Sequence, residues 1–322
     1  MTLRARFAIC ALLAASAGRA AAGCHDSAIH GWLDFWLGDW IVCEGRERAG
    51  TDRVTKVLDG CAVAEDWTGV DGSHGLSLFY VVLPDRTWRQ VWVTDAARRA
   101  GGWKEKRLVA HPAEGSVRFQ GEIAPEDGRR MLDRTTPRPP VGRRRMPLNR
   151  RARRARIGRR IVLATLVSML VQSPADAQPA PTCDAAEHRA FDFWLGSWDV
   201  SLPDGRAAGT NRIERTAGGC ALIEHWQGTG GFVGTSLNWY DRDDARWHQV
   251  WVDGTGGTLV LAGARDGERM VLTSLPAAGE RTRQRIAWSP QADGSVRQHW
   301  ETSDDAGATW RTVFDGRYVR RP

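Results

Sequence analysis

The segment Phe191 to Val200, FDFWLGSWDV, has an earlier copy in the same chain, LDFWLGDWIV, from Leu33 to Val42. Each copy sets two Trp residues around a Gly, with an Asp shortly before the first Trp. Downstream, a constant offset of 159 carries Glu65, Trp67, Gly75, Ser77, Leu78, Trp88, Gln90, Trp92 and Val93 onto Glu224, Trp226, Gly234, Ser236, Leu237, Trp247, Gln249, Trp251 and Val252. The cysteines repeat too: Cys24 and Cys61 are 37 apart, and so are Cys183 and Cys220. Similarity at a fixed spacing marks a duplicated structural unit. The fold must therefore be one that such a unit can build twice within 322 residues, the length of two ordinary domains.

Both units read as β-structure. Short segments rich in Val, Ile, Thr, Trp and Tyr alternate in polarity. Asp204-Gly205, Asp253-Gly254, Asp266-Gly267, Asp293-Gly294 and Asp315-Gly316 are D-G pairs that favour turns. No apolar period of 3.6 lasts long enough for a long helix, and His188 to Leu195 can form one short helical turn. Residues 178–322 are expected to make an all-β antiparallel meander of eight to ten strands. It closes most simply as an up-and-down barrel, which leaves no long exposed edge. Residues 24–136 break off early. After Met131 to Thr136 the text turns Pro- and Arg-rich, and nothing matches Ile286 to Trp288 or Val296 to Tyr318. A barrel short of its last strands leaves edges unpaired, so this unit is expected to be the less stable one.

Residues 1–23 have the basic start, apolar run and small-residue end of a signal peptide. Cys24, after Ala21-Ala22-Gly23, partly matches a lipoprotein box, which would anchor the chain through Cys24 and exclude its pairing. Residues 137–177 form an Arg/Pro-rich linker holding a second signal-like segment. Its apolar run, Ile161 to Val171, is about half the ~20 residues that span a bilayer, and Ala175-Asp176-Ala177 follows as a cleavage site. A start at Met146 would give a complete precursor, so the chain reads as two neighbouring, duplicated exported proteins joined through gene fusion or a reading-frame error. Membrane contact is expected only through these segments. The net charge of +7 does not indicate nucleic acid. Arg129 to Arg160 hold 14 Arg against one acid, Asp133, whereas residues 24–128 carry 12 basic and 17 acidic groups and residues 178–322 carry 16 and 19. Both units are mildly acidic, and no nucleic-acid partner is expected.

In an exported chain the matched Cys pairs suggest disulfides Cys24–Cys61 and Cys183–Cys220, each worth roughly 3–4 kcal/mol in the chain-entropy model. Cys43 has no equivalent in the second unit. Strand alternation then sorts the polar groups. Leu222, Glu224 and Trp226 share one face, as do Ser236, Asn238 and Tyr240, and as do Trp247, Gln249 and Trp251. Large aromatics beside single polar groups are what a ligand cavity needs, and they are equally what a filled small barrel contains. Glu224 is the sharpest candidate. A carboxyl among inward Trp residues has its pKa raised by desolvation, and can act as acid/base, fix a ligand, or pair with an interior Arg. His225, His248 and His299 fall on the opposite, outward face. There is no H-E-x-x-H, C-x-x-C, G-x-S-x-G, P-loop or dinucleotide fingerprint, so no metal or cofactor is expected. Ser303 to Trp310, S-x-D-x-G-x-T-W, resembles the Asp-box hairpin of sialidases and other β-proteins, a folding element that implies no catalysis.

F-D-F-W-L-G-S-W-D, G-G-C-A-L-I-E-H-W, H-Q-V-W-V-D and S-D-D-A-G-A-T-W-R together resemble a family of exported bacterial proteins without an established activity. The resemblance covers nearly all of 183–322, and the first unit up to about Thr136. Gly196-Ser197-Trp198 and Gly38-Asp39-Trp40 resemble the G-x-W of lipocalins and related calycins, which implies a barrel holding one small ligand. The leading expectation is a periplasmic or secreted binding module for a small, partly apolar molecule. Trp226, Trp247 and Trp251 would be its walls, and Glu224, Gln249, Ser236 and Asn238 would orient the ligand. The alternatives are an isomerase, lyase or hydrolase with Glu224 as acid/base, and a structural protein with a filled core.

Overall fold

The computed structural model describes residue 24 and residues 27–44, 46–95, 102–110, 117–123, 131–135, 137, 183–275 and 280–322. The expected signal segments and nearly all of the linker lie outside these residues. The first repeat is an open antiparallel sheet of eight strands in chain order: β1 (Gly38–Glu44), β2 (Glu47–Val57), β3 (Ala62–Gly69), β4 (His74–Val82), β5 (Thr87–Thr94), β6 (Trp103–Ala110), β7 (Arg118–Ile123) and β8 (Met131–Thr135). The second is a closed antiparallel barrel of ten: β9 (Gly196–Ser201), β10 (Ala207–Thr216), β11 (Ala221–Gly228), β12 (Val233–Asp241), β13 (Arg246–Asp253), β14 (Thr258–Asp266), β15 (Arg269–Ser274), β16 (Arg283–Pro290), β17 (Val296–Ser303) and β18 (Arg311–Arg320). Every strand pairs with its chain neighbours, and β18 returns to β9, setting Tyr318 opposite Val200. The barrel thus completes its own hydrogen-bond ladder and encloses its own core.

One end of the barrel is plugged. After a single α-helical turn, α1 (Ala186–Arg189), a 3-10 turn at Asp192–Trp194 folds Phe191 and Trp194 inward, both fully buried and stacked at 4.9 Å. Phe191 meets Trp247 and Trp288 edge-on, at 5.5 and 5.1 Å. Gly196 enters β9 at φ +130°, a conformation that L side chains rarely adopt, and a Cβ there would strike Arg320. That guanidinium lies 4.4 Å over the ring of Trp198 and donates to Leu195 O at 2.9 Å. Trp198, fully buried, donates from Nε1 to Trp194 O at 2.9 Å. The repeated motif therefore builds the closed end. The first repeat uses it in the same way, with Trp40 Nε1 donating to Trp36 O at 2.6 Å.

Both disulfides form, with Cα–Cα distances of 4.9 Å for Cys24–Cys61 and 5.0 Å for Cys183–Cys220. Each lands just beyond the repeat's second strand, in the turn before the third. The pairing of Cys24 takes up the sulfur that lipidation would need. Two disulfides fit an oxidising compartment outside the cytosol. Among the described residues no helix is long and apolar enough to cross a membrane.

One expected turn is a strand. Asp315-Gly316 lies inside β18, where Arg297 holds Asp315 through two bonds of 2.8 and 2.7 Å. Gly316 leaves room for the Phe314 ring, which a Cβ would strike. The dipeptide's turn preference is local, and pairing with β17 and β9 overrides it. The Asp-box does form a turn. Asp305 accepts from Thr309 N at 2.8 Å and Thr309 Oγ1 at 2.7 Å, and Gly307, at φ +99°, donates to Ser303 Oγ at 2.8 Å. The Thr309 donors hold the Asp305 carboxyl well below the usual range. Asp305→Ala is expected to lower the barrel's thermal midpoint by a few degrees, and Asp305→Asn by less, because the amide oxygen still accepts. Calorimetry of the two variants checks this.

The repeats pack back to back. The outer face of β3, β4 and β5 in the sheet lies on the outer face of β11, β12 and β13 in the barrel, and the two share one apolar core.

Candidate functional site

Inside the barrel, the alternation of β10 to β13 aims Asn211, Glu224, Ser236, Asn238 and Gln249 at one another. Glu224 is 4 % exposed. Asn211 Nδ2 donates to its Oε1 at 2.7 Å, and Ser236 Oγ to its Oε2 at 2.6 Å. Behind them, Asn238 Nδ2 donates to Ser236 Oγ at 2.9 Å, and Gln249 Nε2 donates to Asn238 Oδ1 at 2.7 Å. Burial pushes the Glu224 carboxyl up to about 7, against the opposing pull of the Ser236 and Asn211 donors. Among the described residues no Arg or Lys pairs with Glu224, so the interior ion pair open to the sequence is replaced by neutral donors. Nearby, Tyr318 donates its hydroxyl to Gln298 Oε1, and burial holds that phenol well above its ordinary value.

Above this polar layer the barrel is lined by half-buried apolar groups. Trp226 follows Glu224 by one pleat, Trp251 follows Gln249, and Leu259 pairs with Trp251. Trp300 pairs with Phe314, whose ring meets Trp226 edge-on at 5.9 Å. Trp247, at the plug, and Trp251 are four residues apart on one strand face, about 13 Å at the usual strand rise. The half-buried ring of Trp226, Trp251, Leu259, Trp300 and Phe314 is thus the end remote from the plug. A surface groove of about 420 Å³ lies beside it, bounded by Leu202, Pro203, Arg206 and Phe314, and none of the Glu224 network lines it.

Of the seven binding residues expected from the sequence, Glu224, Ser236, Asn238 and Gln249 form the connected polar layer, and Trp226 and Trp251 stand above it. Trp247 lies below, 3 % exposed, its Nε1 donating to Glu187 O at 3.0 Å as part of the closed end. Sequence reasoning missed Asn211, Trp300 and Phe314. Asn211 is 13 residues from Glu224, and the only signal for it is its place on the inward alternation of β10. His225 and His299 face outward as expected. His248 also does, but it is buried between repeats, stacked on Trp239 at 5.4 Å and bonded to Asp244 at 2.9 Å. Asp241, Asp244 and His248 bring three ligand-type atoms within 4.8 Å. The first repeat puts the ion pair of Asp85 and Arg89 at the positions of Asp244 and His248. The same two positions are therefore side-chain partners in both repeats.

The first repeat keeps part of this polar layer with changed charge, and Phe79 takes the position of Asn238. Ser77 Oγ donates to Glu65 Oε2 at 2.5 Å and Gln90 Nε2 to Ser77 Oγ at 2.9 Å, but Asp52 stands where the barrel has Asn211. Burial, and then the facing Glu65, push Asp52 up to about 8. Lys106 occupies the place of Leu261 beside the Gln and is drawn down to about 8 by burial and by Lys104.

Fold and site together define an all-β, disulfide-bonded antiparallel barrel, plugged at one end, with a buried neutral-poised carboxyl under an aromatic rim. No family model matches the chain, and no curated protein matches it in sequence.

Proposed function

We propose that the chain is an exported, periplasmic or secreted, binding module for one small, partly apolar molecule, taken into the barrel from the rim of Trp226, Trp251, Leu259, Trp300 and Phe314. One observation carries this reading. A buried hydrogen-bond network converges on Glu224, directly below large aromatics that are left half-buried. A barrel built only for stability gains by burying those rings fully, whereas one built for a ligand leaves them for the ligand to cover. The G-x-W resemblance to lipocalins supports the same reading. The ligand would present an apolar body to the rim and a hydrogen-bonding group to Glu224, which is protonated below about pH 7 and can then both donate and accept.

The full chain is expected to bind a neutral aromatic probe such as 1-aminoanthracene saturably, with quenching of Trp fluorescence. Trp251→Ala is expected to weaken binding about tenfold, ~1.4 kcal/mol. Absence of saturable binding, together with no small molecule in native mass spectra of material from its own compartment, would count against a binding role. The value near 7 also favours a second reading, an acid/base enzyme on the same barrel. Glu224→Gln separates them. A binder loses modest affinity, and an enzyme loses nearly all turnover of whatever ligand co-purifies.

A further inference from the structure

We infer that the outer face of β11 to β13 is a self-recognition surface, whose natural occupant is a second copy of the same repeat. The packing between the repeats uses equivalent positions on both sides. Tyr80, Val91 and Val93 of the first repeat meet the face formed by Trp239, Val250 and Val252, their counterparts at the offset of 159. The contacts at the margins are reciprocal as well. The turn after β2 reaches the barrel, with Cys61 Sγ 3.2 Å from Gly254 O, and the turn after β10 reaches back, where a Cβ on Gly218 would strike Asp95. Gly254 and Asp95 are themselves counterparts, as are the two turns. Residue i touching j while the counterpart of j touches the counterpart of i is the signature of a two-fold, isologous interface. Two unrelated surfaces would have no reason to meet in this way.

The barrel's half of this face is apolar and fully covered, with Leu237, Trp239, Val250 and Val252 each at most 2 % exposed. Without an occupant it would present a contiguous apolar patch of the kind monomers rarely carry. The first repeat, though cut short, retains β3 to β5 and so retains the half-interface. One contact breaks the symmetry. Trp103 packs over Trp239 at 5.0 Å and over His248 at 5.5 Å, and the register puts Thr258 in its place in the barrel. Pairing of two barrels would lack that ring, so the first repeat is the better occupant when tethered, and a second barrel takes its place when the first repeat is removed.

The test starts from the full chain with a protease site inserted within residues 138–177. After cutting, the two pieces are expected to co-elute. The barrel piece, once isolated, is expected to appear in native mass spectra at twice its mass, and the dimer fraction is expected to fall at least tenfold in Val250→Glu. Val250→Thr, which keeps the volume and adds a hydroxyl, should give an intermediate value. Near-ultraviolet circular dichroism of each sample reports folding. A folded barrel that stays monomeric at 100 µM, or pieces that separate on cutting, would overturn the inference. Loss of the dichroism on isolation would do so too, since a barrel that cannot stand apart from the first repeat cannot recruit a second copy.

Discussion

Trp194→Ala is expected to destabilise the barrel by about 3–5 kcal/mol, the usual cost of emptying a fully buried aromatic site. Its indole is fully buried, stacked at 4.9 Å on Phe191 and tilted at 5.3 Å against Trp288, so the space it leaves is walled by rings that cannot collapse into it. The backbone oxygen that receives Trp198 Nε1 is retained in the variant, so the loss is one of packing and not of that hydrogen bond. Trp194→Phe separates volume from polarity. The Trp194 N–H finds no partner among the described residues, and a benzyl ring removes that buried donor while keeping most of the contact. Its cost should stay below about 1.5 kcal/mol. Urea unfolding followed by near-ultraviolet circular dichroism reads both values, and equal costs for Ala and Phe would contradict the plug.

Glu224 sets the second large effect, through pH. Its ordinary value is 4.5, and in the barrel burial raises it to about 7. Below about 4.5 the carboxyl is protonated in both folded and unfolded chains, and it contributes nothing to the pH dependence. Between 4.5 and 7 the unfolded chain ionises while the folded one holds its proton, so stability falls as pH rises. Above 7 both are ionised, and the penalty stays constant at about 3 kcal/mol. Glu224→Gln mimics the protonated acid, offering an oxygen to Asn211 and a donor to Ser236, and is expected to remove that loss. The first repeat adds a slope of the same sign through Asp52 and Glu65, both raised chiefly by burial. Comparing wild type with the variant at pH 4.5 and pH 8 cancels that contribution. A difference that does not change with pH would mean Glu224 is already ionised in the fold.

The expected faces of β11, β12 and β13 hold in the structure because a strand's period of two is a local property. Once Glu224 is inward, Leu222 and Trp226 must be inward too. The disulfides were legible for a related reason, since two matched pairs at one spacing leave few ways to pair. Asn211, Trp300 and Phe314 were not legible. The bond of Asn211 to Glu224 and the meeting of Phe314 with Trp226 depend on strand registers and on the closure of β18 onto β9, which no single segment shows. Trp247 shows the same limit. It shares a face with Gln249 and Trp251, yet only the position of the plug decides that it belongs to the closed end.

By itself, then, the sequence determined the duplication, the β-meander, the bridges and the side of each strand that carries Glu224 and its neighbours. All of these follow from spacing and alternation along a single segment. Only the tertiary structure decided the register in which the ten strands close, which rings pack on the plug, that neutral donors meet Glu224, and that the two outer faces meet through equivalent positions. Those depend on contacts between different segments, from Asn211 with Glu224, 13 residues apart, to Arg320 with Leu195, 125 apart, and Cys61 with Gly254, 193 apart. The free energy of such contacts resides in the pair, and neither segment shows it alone.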